Sequence, residues 1–219
     1  MRNMWYQRLP LTKEVNERIL TDKVRRRARI GRNHWDTSFD MIPDDLPLDK
    51  QGRTYKKRLY DYCRTLEQWE PMGIGWVLYG GFGTGKTALG SLILKYCLAK
   101  GGRALSFRYA DLLDRLMSFK PQFAPNGAPL DIALTNVNYL LIDDLEVEDG
   151  ERSRKLETVV RRRYDERLPT IITSNESIEL LGKIDWLRDM VKLSFKTGDI
   201  NGVNWRQDPP SHPSSGSIL

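Results

Sequence analysis

A glycine-rich turn between two apolar segments constrains this chain more than any other feature. The stretch "WVLYGGFGTGKTALGS" covers residues 76–91 and contains Gly80-x-x-x-x-Gly85-Lys86-Thr87. This is the spacing of a phosphate loop, in which a strand ends in a glycine-rich turn that opens a helix. Glycines let the backbone N–H groups point inward at an anion, and the positive end of the helix dipole adds to the attraction. The sequence therefore predicts a nucleotide site.

Within this loop, Lys86 is expected to reach the terminal phosphates and the Thr87 hydroxyl to ligate Mg²⁺. ATP and Mg²⁺ are the expected ligands. The alternative is a flexible turn between a strand and a helix, which the apolar segments on both sides disfavour. The residues predicted to contact the nucleotide are Gly80, Gly81, Phe82, Gly83, Thr84, Gly85, Lys86, Thr87 and Ala88.

Polar side chains end two further apolar segments. In "VNYLLIDDLEVED", Asp143 is expected to hold Mg²⁺ beside Thr87, and Asp144 follows where many ATPases place the glutamate that polarises the attacking water. An acidic turn that caps a strand is the alternative. In "LPTIITSNES", Ser174 and Asn175 end another strand. Asn175 is predicted to sense the γ-phosphate, to cap the helix that follows, or to do both.

Short apolar strands alternate with helical patterns after residue 70, which predicts an α/β phosphate-loop core with a parallel sheet sandwiched by helices. The predicted helices include residues 12–29 and 53–69, and "VKLSF" is predicted to be a strand. The predicted domains are a basic N-terminal helical arm over 1–35, an ATPase core over 36–206 and a disordered Pro/Ser-rich tail over 207–219.

Charge is concentrated at the start of the chain. Residues 1–35 carry ten Lys/Arg against three Asp/Glu, a local +7, whereas the whole chain carries +6. The arm is therefore expected to touch nucleic acid or an acidic protein, or to be a solvated helix face, and to contribute little to the core. The two cysteines are expected to be reduced core residues. No signal peptide or membrane-spanning segment is recognisable, which favours a cytoplasmic protein.

Several classes of phosphate-loop protein are disfavoured by missing motifs. The chain has no Asn-Lys-x-Asp segment for guanine recognition and no Leu-Ser-Gly-Gly signature of a transporter ATPase. It also has no recognisable arginine-rich lid or substrate pocket of a small-molecule kinase.

From about Ala28 to Arg206 the chain resembles the DnaC/IstB-type AAA+ ATPases, which are bacterial replicative helicase loaders and related transposition helper ATPases. The resemblance rests on "RIGRNHWDTSFDMI", "GGFGTGKTALGSLI", "YLLIDDLE", "RRRYDERLPTIITSN", "LRDMVKLSF" and "NWR". It implies an ATP-dependent homo-oligomer in which an arginine of one subunit enters the next subunit's nucleotide site. Family loaders also carry an N-terminal helicase-binding domain, for which the roughly 35 residues before this core leave little room.

Four site residues follow from that resemblance. Arg188 in "LRDM" matches the family's trans-acting arginine, although this segment has fewer arginines than the family pattern. Arg206 in "NWR" matches the second sensor, which contacts the γ-phosphate within its own subunit. A surface arginine without such a role is the alternative for both residues. Phe39 and Met41 match residues that border the adenine, with packing in the core as the alternative.

The resemblance also implies partners, namely a replicative hexameric helicase, single-stranded DNA and further copies of this chain. In residues 109–134, Arg115 and Lys120 are candidates for phosphate contacts, and Phe119 and Phe123 for base stacking. The alternative there is an amphipathic helix with its apolar residues inward. Residues 161–163, all arginine, either face a neighbour's nucleotide or form a solvated helix face.

The function expected from the sequence is that of an ATP-dependent helicase loader in DNA replication. A transposition helper ATPase, which assembles on DNA and activates a transposase, is the main alternative. A nucleotide-dependent binding module that hydrolyses little ATP and a small-molecule kinase are two further ones.

Overall fold

The computed structural model describes residues 21–42, 52, 54–148 and 150–200. The strands are β1 (Gly75–Tyr79), β2 (Ala104–Arg108), β3 (Tyr139–Asp143), β4 (Thr170–Ser174) and β5 (Phe195–Asp199). The helices are α1 (Asp22–Arg27), α2 (Tyr55–Arg64), α3 (Leu66–Trp69), α4 (Lys86–Ala99), α5 (Tyr109–Leu116), α6 (Leu130–Asn136), α7 (Glu151–Asp165), α8 (Ile178–Leu181) and α9 (Asp185–Ser194). Short 3₁₀ turns lie at Arg32–His34, Phe39–Met41 and Glu70–Met72. None of the helices in this described part of the chain has both the length and the hydropathy of a membrane-spanning segment.

The five strands form one parallel sheet in the order β2-β3-β4-β1-β5. Strand β4 therefore separates β1, which leads into the phosphate loop, from β3, which ends at Asp143. Because all strands run in the same direction, their carboxyl ends meet at one edge of the sheet. The predicted α/β fold class is confirmed.

Alternate residues of the central strands pack on opposite faces of the sheet. Trp76, Leu78 and Leu141 lie in the core that contains α2 and α4. Val77 and Ile142 lie in the core that contains α5, α6, α7 and α9. Burial on both faces explains why the strands are continuous apolar runs rather than alternating ones.

Helix α4 packs closely on β3 because it carries Gly90. A Cβ atom at this position would lie 2.9 Å from Leu141 Cδ1, so even alanine would require the leucine to move. This close packing fixes the N-terminus of α4 against the carboxyl edge of the sheet.

Two of the predicted element boundaries are wrong. The segment "VKLSF" is mostly the end of α9, and β5 begins only at Phe195. The buried residues of this helix follow helical spacing: Trp186, Leu187, Met190 and Ser194. This spacing is the better guide to the structure here than the short apolar run in the sequence. The helix expected over 53–69 is divided at Thr65, whose hydroxyl donates to the Asp61 carbonyl over 2.8 Å.

The described part of the N-terminal arm packs on the core, contrary to expectation. Helix α1 begins after Thr21, which is extended and whose side chain caps the Val24 N–H, so no helix runs through this position. The rest of the predicted helix lies outside the described residues. Ala28 and Ile30 are buried. The Ala28 carbonyl accepts a 2.9 Å hydrogen bond from Ser106 N–H on the edge strand β2, so these residues cover part of that edge.

Arg163 also departs from expectation, since it is fully buried rather than on a solvated or neighbour-facing surface. Its guanidinium donates to the Thr170 hydroxyl and to the carbonyls of Leu134, Val137, Asn138 and Pro169. Burial lowers the pKa of Arg163 to about 9. The side chain ties α7 to the segments that lead into β3 and β4. Arg161, by contrast, is exposed and pairs with Glu157 over 2.6 Å.

Candidate nucleotide site

The phosphate loop connects β1 to α4 at the carboxyl edge of the sheet. Gly83 and Gly85 have φ angles of 76° and 87°, in the left-handed region that favours glycine. Gly85 is the N-cap of α4. Because it has no side chain, it offers no side-chain acceptor to the first N–H groups of the helix. These N–H groups, together with the positive end of the helix dipole, suit a phosphate.

Lys86 is buried at the mouth of this loop. Its ammonium donates to the carbonyls of Gly80 over 2.9 Å and Gly81 over 2.5 Å, and lies 3.4 Å from Thr84 Oγ1. The Thr84 hydroxyl donates to the Gly81 carbonyl over 2.9 Å. The Lys86 ammonium therefore lies inside the loop, held by the loop's own oxygen atoms.

Asp143 and Thr87 lie within hydrogen-bonding reach of each other. Asp143 is only 7% exposed, and its Oδ1 accepts a 2.6 Å hydrogen bond from the Thr173 hydroxyl. Burial raises the pKa of Asp143, while hydrogen bonds from Thr173 and Thr87 and the charge of His34 act in the opposite direction. A carboxylate and a hydroxyl are hard oxygen ligands of the kind that Mg²⁺ takes alongside substrate phosphates. These two residues therefore fit the expected metal.

The surroundings of Asp144 differ from those of Asp143. Its backbone is left-handed, with φ of 56°, a conformation that Asp and Asn adopt more readily than most residues. Its Oδ1 accepts from Asn175 Nδ2 over 3.2 Å, and its Oδ2 pairs with Arg108 over 3.3 Å. Its backbone N–H donates to the Thr173 hydroxyl over 2.9 Å. Asp144 and Asn175 thus form one unit beside the phosphate loop.

The helix-cap alternative for Asn175 is wrong, because Ser177 caps α8 by accepting from Leu180 N–H. Ser174 is buried, and its hydroxyl donates to the Leu145 carbonyl over 2.6 Å. It therefore supports the loop after β3.

Sequence reasoning missed two residues of this site, Thr173 and Arg108. Thr173 is the fourth residue of an apolar strand, and the pattern of that strand hides its polar role. The signal that could have identified it in the sequence is its position just before the polar end of "TIITS". Arg108 lies opposite Asp143 in the β2–β3 register, which only the folded sheet reveals.

The residues assigned from family resemblance lie further from this centre. Arg188 is exposed on α9 and contacts Asp185 over 2.9 Å, the Gly182 carbonyl over 3.4 Å and Asp189 over 3.9 Å. None of these contacts is with a predicted site residue in the described part of the chain. Arg206 lies outside the described residues.

Phe39 and Met41, the expected adenine neighbours, differ in burial. Phe39 is buried with its ring edge-on to Tyr60 and Tyr96, at centroid distances of 5.3 and 5.8 Å. This is the core-packing alternative. Met41 is 44% exposed and remains accessible to a ligand.

A second surface lies on the loop between α5 and α6. The amphipathic α5 buries Leu112 and Leu113 and ends at Leu116, so Phe119 and Phe123 lie beyond it and are exposed. The inward-facing alternative is therefore wrong for these two aromatic residues. The loop closes on itself through a hydrogen bond from Ala124 N–H to the Ala128 carbonyl over 2.9 Å.

Comparison with known proteins identifies the fold. No family model and no curated protein matches the chain. Among solved structures, a DnaC helicase loader matches with a TM-score of 0.58 and 20% identity, over 77% of this chain and 100% of that one. DnaI matches with a TM-score of 0.54 and 24% identity, over 74% and 88%.

The replication initiator DnaA, bound to AMPPCP and single-stranded DNA, matches with a TM-score of 0.55 and 16% identity over 77% of this chain, which spans half of that one. The chain therefore has the fold of the DnaC-type AAA+ proteins, and the predicted resemblance is confirmed at that level.

Proposed function

We propose that this chain is an ATP-dependent helicase loader, an ATPase that binds DNA and a replicative helicase during DNA replication. The observation that carries the proposal is the convergence of a phosphate loop, the Thr87–Asp143 pair and the Asp144–Asn175 pair at one sheet edge. Support for the loader role comes from the likeness of the fold to a solved chain of a DnaC helicase loader, all of which is matched.

Nucleotide binding follows from the loop. Its backbone N–H groups and the Lys86 ammonium would hold the β- and γ-phosphates, and Thr87 and Asp143 would hold Mg²⁺. When bound, the ion supplies charge neutralisation on the phosphate oxygens. Thr173 keeps the Asp143 carboxylate in place for this role through its 2.6 Å hydrogen bond.

Hydrolysis requires a water oxygen to attack the γ-phosphorus while the bond from that phosphorus to the bridging oxygen breaks. ADP, inorganic phosphate and a proton result. Asp144 would accept a hydrogen bond from the water and orient it, with Asn175 fixing the carboxylate. Because the Arg108 side chain is 71% exposed, its pairing with Asp144 is weak enough to exchange for a water contact.

Binding and hydrolysis of ATP would control the assembly of the subunits. The nucleotide site of one subunit would be completed by Arg188 of a neighbouring copy and by Arg206 of the same chain. The exposed position of Arg188 supports such a contact. Hydrolysis would then remove the γ-phosphate that joins the subunits and release the neighbour.

The loop between α5 and α6 would contact single-stranded DNA. Exposed aromatic rings stack on bases with little sequence preference, and nearby cations bind the phosphates. Phe119 and Phe123 supply the rings. Lys120, exposed between them, and Arg115, partly buried at the end of α5, supply the charge.

The test measures ATP-dependent delivery of the host's replicative helicase to single-stranded DNA. Helicase retained on DNA-coated beads is quantified with the parent protein and with Lys86→Ala as the nucleotide-blind control. Retention should rise with parent and ATP and not with Lys86→Ala. Equal retention with both proteins, or delivery of a transposase in place of the helicase, would contradict the loader function.

A further inference from the structure

The indole ring of Trp35 is in contact with three arginine side chains. The guanidinium carbons of Arg25, Arg26 and Arg32 lie 5.6, 5.5 and 5.7 Å from its centroid. Each distance is short enough for a cation–π contact, which offsets part of the repulsion among the three charges. The ring therefore holds three guanidinium groups close together on one surface.

Trp35 is itself held from two sides. Its indole N–H donates to the Ile30 carbonyl over 2.9 Å. Its backbone carbonyl accepts a 2.8 Å hydrogen bond from the ammonium of Lys95, which is fully buried in α4. Burial lowers the pKa of Lys95 to about 8, the charge of Arg25 acts in the same direction and that of Asp36 opposes it, so the ammonium still predominates at neutral pH. The ring is therefore fixed where the arginines contact it.

Positive charge dominates the segment around this ring. Residues 21–36 contain six Lys/Arg and two Asp, a net charge of +4. The carboxylate of Asp22 is shared, because it lies 3.8 Å from Arg25 and 4.0 Å from Arg26. Asp22 is 65% exposed, so solvent screens both pairs and they are weak. Arg26 and Arg32 are exposed as well, which leaves their charges accessible to an anion from outside.

The positive surface continues from this segment across the edge strand β2 to α5. Arg29 donates from Nε to the Ser106 carbonyl over 3.2 Å, and its guanidinium carbon lies 4.4 Å from the Phe107 ring centroid. The guanidinium carbon of Arg115, at the end of α5, lies 6.0 Å from the same centroid. Burial lowers the pKa of Arg29, and the charge of Arg115 acts in the same direction while Asp111 opposes it. Arg29 and Arg115 are therefore neighbours although they are distant in sequence.

Arg115 is followed by the loop between α5 and α6, in which Phe119 and Phe123 are exposed and Lys120 lies between them. A row of cations that ends at exposed aromatic rings suits a single strand of nucleic acid, whose backbone is charged and whose bases stack. Arginine suits phosphate further, because its planar N–H fork can bond two oxygen atoms at once. An acidic protein surface would use the charges but not the rings.

We propose that the arginines around Trp35 bind the phosphates of a single strand of DNA whose bases contact the loop between α5 and α6. Arg26 and Arg32 make these contacts, and Trp35 sets their spacing. Arg29 and Arg115 connect the two parts of the surface. This inference deepens the proposed function and rests on it only in requiring that the chain binds DNA.

The test measures binding of a fluorescently labelled oligothymidylate by anisotropy over a range of salt concentrations. The variant combines Arg26→Gln with Arg32→Gln and so removes two exposed charges. The matched control combines Arg154→Gln with Arg162→Gln, which removes two exposed arginines from α7. The buried residues of α7 pack on the opposite face of the sheet from those of the N-terminal segment.

The Arg26→Gln, Arg32→Gln variant should bind the oligonucleotide roughly tenfold more weakly at low salt. The slope of log K against log salt concentration should flatten by about 1.4, because each lost phosphate contact of a single strand contributes about 0.7. The control should keep the parental slope and stay within about twofold of the parental affinity. Asp22→Asn, which removes the carboxylate shared by Arg25 and Arg26, should bind about two- to fivefold more tightly than the parent.

Equal affinities and salt slopes for the parent and the double variant would overturn the inference and leave the proposed role of the loop intact. A double variant that binds the oligonucleotide normally but no longer binds the helicase would also overturn it, since the surface would then serve an acidic protein. If the double variant does not fold, Arg32→Gln alone and Asp22→Asn carry the same comparison. A parent protein that binds no oligonucleotide would instead overturn the DNA-binding part of the proposed function and, with it, this inference.

Discussion

The hydroxyl of Thr173 donates a 2.6 Å hydrogen bond to the buried carboxylate of Asp143. The same oxygen accepts the backbone N–H of Asp144 over 2.9 Å. One side chain of β4 thus fixes the expected metal ligand and the start of the turn that carries the expected water-orienting residue. The strand order makes this possible, because β4 lies between β1 and β3.

Thr173→Val keeps the shape of the side chain and removes both hydrogen bonds. We expect it to lower the free energy of unfolding by about 1–3 kcal/mol, since a buried carboxylate and a part-buried N–H lose their partner. It should also weaken the Mg²⁺-dependent part of ATP binding. Urea denaturation and ATP titration with and without Mg²⁺ measure the two effects. Thr173→Ser, which keeps the hydroxyl, should show neither, and a fully stable Thr173→Val would contradict the assigned role.

Asp144→Asn should retain ATP binding and lose turnover by roughly 10²–10⁴-fold, the usual contribution of a positioned acid or base. Asparagine tolerates the left-handed backbone at this position, so the fold should be unaffected. Alanine adopts the left-handed backbone less readily, so Asp144→Ala should also lose about 1 kcal/mol of stability. Steady-state phosphate release and urea denaturation separate the two variants. Parental turnover in Asp144→Asn would remove Asp144 from the mechanism.

The phosphate loop and the Asp143–Asp144 pair were predictable from sequence because each depends on residue types at fixed local spacing. Gly85, Lys86 and Thr87 are adjacent in the chain, and a single strand–turn–helix unit positions them. The α/β class followed for a similar reason, since buried parallel strands are continuous apolar runs.

Arg108 and Arg163 were not predictable in the same way. Arg108 meets Asp144 only through the pairing of β2 with β3. In the sequence Arg163 is part of a basic run, and only folding brings together the backbone carbonyls that accept hydrogen bonds from its buried guanidinium. Roles that depend on partners distant in sequence leave no local pattern.

Removal of residues 1–20 should leave a folded domain, whereas removal of residues 1–32 should destabilise it. The longer deletion exposes the contacts of Ala28 and Ile30 and removes the carbonyl that accepts Ser106 N–H on the edge strand. We expect a loss of about 2–5 kcal/mol from the missing apolar burial and the unpaired edge. Urea denaturation of both truncations provides the measurement. Equal stability of the two would show that residues 21–32 do not support the core.

Stability should depend on pH through Lys95. Its pKa is about 8 in the folded protein against an ordinary 10.5, so between these values the unfolded chain binds more protons. Stability from this group therefore rises as pH increases across that window and is lost as pH falls through it. Relative to Lys95→Met, the parent should gain up to about 3 kcal/mol between pH 8 and 10.5. Urea denaturation of both proteins across this range tests it, and parallel pH profiles would contradict it.

Arg188→Ala should leave ATP binding close to that of the parent, because the contacts of this side chain lie on and next to its own helix and away from the phosphate loop. If it serves a neighbour's site, turnover should fall about 10³-fold or more, as for other trans-acting arginines, and ATP-dependent oligomerisation should fall with it. Mixing Arg188→Ala with Asp144→Asn should restore part of the turnover, since some mixed interfaces join an intact Asp144 to an intact Arg188. Lys192→Ala, on the same helix, serves as the control and should behave like the parent. Phosphate release and sedimentation give both readouts, and a fully active dilute monomer of Arg188→Ala would rule out assembly through this arginine.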